Sequence, residues 1–323
     1  MRRIRYHAYG GPEVLVMEEA EPPVPGPGQV RIRAEAIGAN FVDVKFRQGP
    51  DTGGIYRREL PAVLTGDVVG TIDAVGPGVG ADLVGRRVAT LAEDAFADQV
   101  LADAEWLAPV PDGIDDATAS MLPMGAPVAL GALRTARLSP GETVLVHAAT
   151  GGIGHLAVQL AKIAGATVIA TAGSPAKLDF ARALGADAAV DYSAADWPER
   201  VREIAPGGVD VVLDSVGGGV LRSSLDLLAP FGRAVVYGAA SGEVTDIPVM
   251  SLFAVRSVTG FSLLAWRAAA PKQAREDMDE AARHAVEGRL RATLHARLPL
   301  TEAAEAHRIL ESRSQLGRVL LIP

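Results

Sequence analysis

The sequence contains no cysteine among its 323 residues. Disulfides are thereby excluded, and so is any zinc site built on thiolates. It also lacks a basic excess: 31 Lys and Arg against 39 Asp and Glu leave a formal charge of −8. That balance speaks against a nucleic-acid partner, because a phosphate backbone selects a basic surface. Every apolar run is broken by Gly, Pro or charge before the roughly 18 residues of a membrane span. The basic start Met1-Arg2-Arg3-Ile4-Arg5-Tyr6 leads to Gly10-Gly11-Pro12 rather than to an apolar signal-peptide core, so a cytoplasmic location is expected. The six histidines (His7, His147, His155, His284, His295 and His307) are scattered singly and read as structural or surface residues, not as metal ligands.

What is present suits a globular protein handling a small molecule. Hydrophobic residues make up 49% and charged residues 22%, and the length is about twice a typical domain, so two domains are expected. The first third reads as β structure. Val30, Ile32 and Ala34 alternate with Arg31, Arg33 and Glu35, the period-2 pattern of a half-buried strand. Further short strands are expected at Gly70 to Val75, Arg87 to Leu91 and Phe96 to Leu101, between Gly- and Pro-rich turns. The proline-rich stretch from Glu21 to Gly28 is a stiff loop.

Beyond about Ala117 strands and helices alternate. Strands are expected at Thr143 to Val146, Thr167 to Ala170, Ala188 to Val190, Asp210 to Leu213, Arg233 to Tyr237 and Ser257 to Phe261. Helices are expected at His155 to Ala164, Ala176 to Leu184, Trp197 to Ile204 and Val220 to Leu228. Apolar strands alternating with helices predict a parallel sheet covered on both faces. A surface helix at Ala270 to Glu287, a helix from Thr301 as N-cap to Ser312, and a strand at Leu316 to Ile322 follow.

The segment His147-Ala148-Ala149-Thr150-Gly151-Gly152-Ile153-Gly154 joins the first of these strands to its helix. Such a turn lets backbone approach a pyrophosphate, with the helix N-terminus behind it; an ordinary βα turn is the alternative. An NAD-selective site carries an acid at the end of the second strand. Here that strand ends Ala170-Thr171-Ala172-Gly173-Ser174, with Lys177 close behind. A missing carboxylate and a nearby cation favour a 2′-phosphate, hence NADPH; a solvated helix lysine is the other account of Lys177.

These segments resemble the zinc-free quinone oxidoreductases of the medium-chain dehydrogenase/reductase superfamily. The resemblance is carried by Ala148-x-x-Gly151-x-x-Gly154, Gly10 to Leu15, Asn40-Phe41-Val42-Asp43, Asp214-Ser215-Val216-Gly217 and His307 to Arg313, and it runs from end to end. It implies an α/β fold: a GroES-like β-rich catalytic domain from residues 1–118 and 264–323, with a Rossmann doubly wound parallel sheet, residues 119–263, inserted. It implies NADPH in the cleft between them, held at Ala149 to Gly154 and, around the 2′-phosphate, by Gly173, Ser174, Lys177, Tyr192 and Arg313. Gly238 and Ala239 border the nicotinamide. Zinc-dependent relatives have Cys where this chain has Asn40, and Gly-His-Glu where it has Thr65-Gly66-Asp67, so no metal is expected. Pro127 stands where relatives often have Thr, and Lys45 and Phe46 where they often have Tyr.

The chemistry expected is hydride transfer from NADPH to a quinone or enone. Asn40 is a candidate donor to the substrate carbonyl or else a turn former, and Asp43 a candidate catalytic or orienting carboxylate. Tyr56 is a candidate proton donor or a packing residue, its spacing lengthened by Asp51-Thr52-Gly53-Gly54. An enoyl or 2-alkenal reductase of a biosynthetic pathway is the second reading, and a non-catalytic NADPH-binding sensor or structural protein the third. The resemblance also implies a homodimer, because relatives pair the exposed edge that matches Ser257 to Leu264 across a two-fold.

Overall fold

A computed structural model describes residues 1–50, 56–243 and 245–323; Asp51-Thr52-Gly53-Gly54 lies outside them. The chain divides into two compact units, Met1–Gly125 with Met278–Pro323, and Ala126–Asp277. Among the described residues, no helix is long and apolar enough to cross a membrane.

The second unit is built on six parallel strands. Their spatial order is Ala188–Asp191, Thr167–Ala172, Thr143–Val146, Val209–Asp214, Leu228–Val236, Ser257–Gly260. The chain starts in the middle, winds to one side, then returns and winds to the other: the doubly wound Rossmann order, with its switch point beside Thr143–Val146. Val144, Leu145, Val146, Val168, Ile169, Val211, Val212 and Leu213 are all buried. Their continuous apolar character, without alternation, follows from helices covering both sheet faces.

In the first unit the long strand Gln29–Gly38 is the organiser. It pairs antiparallel with Gly66–Val75, with Gln99–Asp103 and, at its end, with Arg318–Ile322. The sheet continues through Arg87–Ala92 to Ala108–Pro109 on one side, and to Leu294–Pro299 on the other. Val30, Ile32 and Ala34 point into the core with Ile72, Val88, Phe96 and Val100, as the alternation requires. This is the GroES-like β-rich unit.

Two local expectations are corrected. The helix placed at Val220 to Leu228 spans Gly218–Leu225, and Leu228 already opens the next strand. Thr301 is no N-cap: burial of Leu300 draws Leu300–Glu302 into a 3-10 turn, and the helix Ala303–Glu311 begins only after Glu302.

Candidate active site

In the second unit, strand Thr143–Val146 runs into His147 and a tight turn before helix Gly154–Ile163. Ala149 N–H donates to Thr171 O at 3.0 Å and Gly151 N–H to Ala148 O at 3.0 Å, so the turn is fastened to the neighbouring strand. Gly154 packs so closely that a Cβ there would sit 2.2 Å from Ala148 O. Ala149 and Thr150 are buried, while Gly151, Gly152 and Ile153 are partly open. Backbone is thus presented without side chains in front of it, next to a helix N-terminus, the arrangement that receives a phosphate.

Behind the turn sits a fully buried His147, bonded to Thr171 Oγ1 at 2.8 Å and Ser224 Oγ at 2.7 Å. Ser224 Oγ already donates to Val220 O, so Nε2 of His147 carries the proton and Nδ1 accepts from Thr171. Burial pushes the imidazole down to about 3, which keeps it neutral. This histidine ties the end of strand Thr143–Val146 to strand Thr167–Ala172 and to helix Gly218–Leu225, partners that the sequence does not reveal.

Of the residues expected at the ribose end, Gly173 and Tyr192 are neighbours. A Cβ on Gly173 would lie 3.8 Å from the Tyr192 ring, and Tyr192 stands edge-on to His147 at 6.5 Å. Ser174 is the N-cap of helix Pro175–Ala183, on whose first turn Lys177 lies. Gly238 rests against Ser215, with Ala239 following. Next to Ser215, Asp214 accepts from Val216 N–H at 3.1 Å and Gly217 N–H at 2.9 Å, and burial lifts its carboxyl to about 6.

In the GroES-like unit, Asn40 is the N-cap of helix Phe41–Gln48, although its side chain does not cap. Its Nδ2 donates instead to Asp67 Oδ2 at 3.2 Å, and its Oδ1 accepts from Arg318 Nη1 at 3.3 Å. Arg318 also reaches Asp67 Oδ2 at 2.5 Å and Ser120 Oγ at 3.3 Å. All four side chains are buried. Gly38 makes room for them, since a Cβ there would overlap Arg318 Nη2. The carboxylate and the guanidinium leave the amide a single orientation, with one N–H of Nδ2 still to give. Asn40 is the most exposed member of the group, at 8%.

Asp43, one turn on, is wholly buried. Thr65 N–H and Oγ1 donate to its two oxygens at 2.8 and 2.6 Å. Burial lifts the carboxyl to about 7, against the pull of these two bonds. Tyr56 packs edge-on against Phe46 at 5.7 Å, and burial raises its phenol. Arg313 follows helix Ala303–Glu311 and faces Phe41 in this same unit. The residues expected at the site therefore fall into two sets: the Gly-rich turn, Gly173, Ser174, Lys177, Tyr192, Gly238 and Ala239 in one unit; Asn40, Asp43, Tyr56 and Arg313 in the other.

Sequence reasoning missed Arg318 and Asp67 as Asn40's partners, and Ser120 as a partner of Arg318. The available signal was an arginine set into the apolar strand Arg318-Val319-Leu320-Leu321-Ile322, because a buried charge demands a partner. Its identity is not written in the local sequence.

Comparison with known proteins agrees with this architecture. Residues 26–112 match the alcohol dehydrogenase GroES-like domain, and residues 152–283 the zinc-binding dehydrogenase family. A 2-haloacrylate reductase from Burkholderia sp is 39% identical over 98% of this chain and 97% of its own length. A quinone oxidoreductase from Pseudomonas aeruginosa is 38% identical over 100% of this chain and 99% of its own. The crystal structure of Escherichia coli quinone oxidoreductase complexed with NADPH superposes with a TM-score of 0.92 at 33% identity, covering 100% of both chains. With that identity along its whole length, the chain is an oxidoreductase of the quinone oxidoreductase family, in the medium-chain dehydrogenase/reductase superfamily.

Proposed function

We propose that this enzyme reduces a conjugated carbonyl compound, a quinone or an enone, with NADPH and without zinc. The observation that carries it is the fixed amide of Asn40. Its carbonyl oxygen and one N–H are committed to Arg318 and Asp67, so the remaining N–H is presented at a constant angle. A donor held in this way stabilises negative charge that develops on a carbonyl oxygen, in the manner of an oxyanion hole.

Zinc does not fit these residues. At Gly66 a Cβ would already lie 2.8 Å from Ile37 and 3.0 Å from Ala95, which leaves no room for a histidine. Asn40 supplies an amide instead of a thiolate, and Asp67 is already paired with a guanidinium that would repel a cation. Activation of the carbonyl then falls to hydrogen bonding.

NADPH supplies the hydride when bound. Ala149 to Gly154 hold its pyrophosphate, and Gly173, Ser174, Lys177, Tyr192 and Arg313 receive the 2′-phosphate. Selectivity over NADH is supported by the second strand, whose end at Thr171-Ala172-Gly173 bears no carboxylate. Gly238 and Ala239 border the nicotinamide. Asp43, bonded through Thr65 to the strand that carries Asp67, acts as a positioning residue, and Tyr56 remains the candidate proton donor. The similarity to a 2-haloacrylate reductase favours an activated alkene as a second acceptor class.

We further propose a homodimer. Strand Ser257–Gly260 ends the sheet and its residues are largely exposed. Val249, Met250, Phe253 and Val255, just before it, are exposed apolar side chains. An open strand edge beside such a patch suits self-pairing; sedimentation as a monomer at micromolar concentration contradicts it.

The decisive assay follows NADPH oxidation anaerobically against quinones and enones, with NADH and EDTA controls. NADPH-selective turnover unchanged by EDTA is expected, and the better acceptor class identifies the substrate. Loss of activity with EDTA, or binding of NADPH with no acceptor reduced, overturns the proposal.

A further inference from the structure

In an open parallel sheet a ligand lies beyond the carboxyl ends of the strands. In the second unit four neighbouring ends run in a row. They lead to the Gly-rich turn after Val146, to Ser215 after Asp214, to Tyr237-Gly238-Ala239 after Val236, and to Phe261 after Gly260. Ser215, Gly238 and Ala239 are small, and the hydroxyl of Tyr237 is buried. Phe261 N–H donates to Val236 O at 2.8 Å. That bond sets Phe261 one strand spacing, about 5 Å, to the outer side of the strand that leads to Gly238 and Ala239.

The tip of the Phe261 ring enters a notch in helix Gly125–Thr135: a Cβ on Gly131 would fall 2.3 Å from Phe261 Cζ and 2.5 Å from Cε2. Glycine inside a helix is unfavourable relative to alanine, and here it makes room for the ring. Trp266 packs against the same ring, with centroids 5.8 Å apart and planes at 53°. The indole is fixed in turn. Its Nε1–H donates to Asp277 Oδ2 at 2.9 Å, and Arg134 Nε donates to Asp277 Oδ1 at 2.5 Å. Asp277 is wholly buried, and Arg134 lies three residues beyond Gly131 on the same helix. Contacts from Gly131 to Phe261, Trp266, Asp277 and Arg134 thus return to the helix from which they start. Yet Phe261 is only partly buried, so some of this fixed ring is left uncovered.

We propose that Phe261 is a specificity-determining residue whose ring packs against the ring of a cyclic acceptor, a quinone, and favours it over an acyclic enone. The inference rests on the reading of the enzyme as an NADPH-dependent reductase and names the acceptor class within it. A ring already held in place loses little freedom when a ligand arrives. Offset or edge contact between two flat π-systems adds to the apolar area they bury, whereas an acyclic enone offers such a surface only a few conjugated atoms.

The test uses the full-length enzyme with Phe261→Leu and Gly131→Ala. Leucine keeps apolar bulk in the notch, and alanine at 131 displaces the ring without deleting it. Values of kcat and KM are measured at saturating NADPH for 1,4-naphthoquinone and for 3-buten-2-one. Binding of 1,4-naphthoquinone to enzyme loaded with NADP+, which has no hydride to give, is followed by quenching of tryptophan fluorescence. Phe261→Leu is expected to raise KM for naphthoquinone about fivefold more than KM for butenone, the scale of one aromatic contact. The naphthoquinone dissociation constant should rise by the same factor. Gly131→Ala should move the same KM ratio, and it carries the test if Phe261→Leu does not fold.

An unchanged KM ratio with an unchanged dissociation constant overturns the proposal, and so does an equal rise for both acceptors, which is the mark of packing alone. If wild type turns over both acceptors while the ratio stays fixed, the reductase reading stands without the ring site. If wild type oxidises no NADPH with either acceptor, yet naphthoquinone binding still weakens about fivefold in Phe261→Leu, the ring site stands and the reductase reading falls.

Discussion

Arg318 and Asp67 meet at 2.5 Å with both side chains almost wholly buried, at 2% and 0% exposure. The two charges come from sequence positions far apart, on strands Gly66–Val75 and Arg318–Ile322, and Asn40 is wedged against both. Removing one charge leaves the other in a low-dielectric interior without its counter-ion, which costs far more than the pair gains over an apolar substitute.

Arg318→Met is accordingly expected to destabilise the protein by about 3–5 kcal/mol, read as a fall in the urea midpoint. The double variant Arg318→Met with Asp67→Asn should recover most of that loss but not activity, because Asn40 is no longer oriented. A single variant as stable as wild type, or a double variant with full turnover, contradicts this account.

The turn before helix Gly154–Ile163 gives a second prediction. A Cβ at Gly154 would fall 2.2 Å from Ala148 O, whereas one at Gly151 would fall 3.3 Å from the same atom. Gly154→Ala must therefore displace backbone, at about 1–3 kcal/mol, and is expected to weaken NADPH binding at least tenfold. Gly151→Ala needs only a few tenths of an ångström of give and should cost less in melting temperature. Fluorescence titration and thermal melts of the two variants check the ranking.

Asp43 gives a pH prediction with a definite sign. Burial lifts its carboxyl from 3.8 to about 7 in the folded protein. Between these values the unfolded chain ionises while the folded chain keeps its proton, so this residue's contribution to stability is full below about pH 4 and is lost as the pH rises to about 7. The slope is at most about 1.4 kcal/mol per pH unit. Asp43→Asn keeps an acceptor for Thr65 and removes the titration. Its stability relative to wild type is expected to rise from pH 4 to pH 7; parallel curves for the two proteins would refute the assignment.

The nucleotide-binding unit was largely legible because its signals are local. Val144 to Val146 and Val209 to Leu213 are apolar runs, each followed by a helix, and their parallel pairing follows from that alternation. The strand at Val30, Ile32 and Ala34 was legible from its period of two. The helix Phe41–Gln48 was not, because its buried residues are Asp43, Val44 and Arg47 while Val42 is exposed. Its inward face is polar, so hydrophobic periodicity points the wrong way. Helices Asp116–Met121 and Gly125–Thr135 were also missed, the latter rich in Ala and broken in pattern by Gly125, Pro127 and Gly131. Asn40 and Asp43 became candidates through a resemblance; their partners Asp67, Arg318 and Thr65, and Ser120 beyond Arg318, required the tertiary fold.

The sheet of the first unit has a consequence for how the chain is made. Strand Gln29–Gly38 leaves the ribosome early, yet its partner Arg318–Ile322, with the adjoining Leu294–Pro299, is synthesised only after the whole of the nucleotide-binding unit. The inserted unit is continuous in sequence and can complete its folding first, while the earlier strand waits with part of its edge unpaired. Closing so distant a pairing is slow in proportion to the loop it spans. During translation the stretch around Ile37 and Gly38 is therefore the segment most exposed to mispairing with another nascent chain.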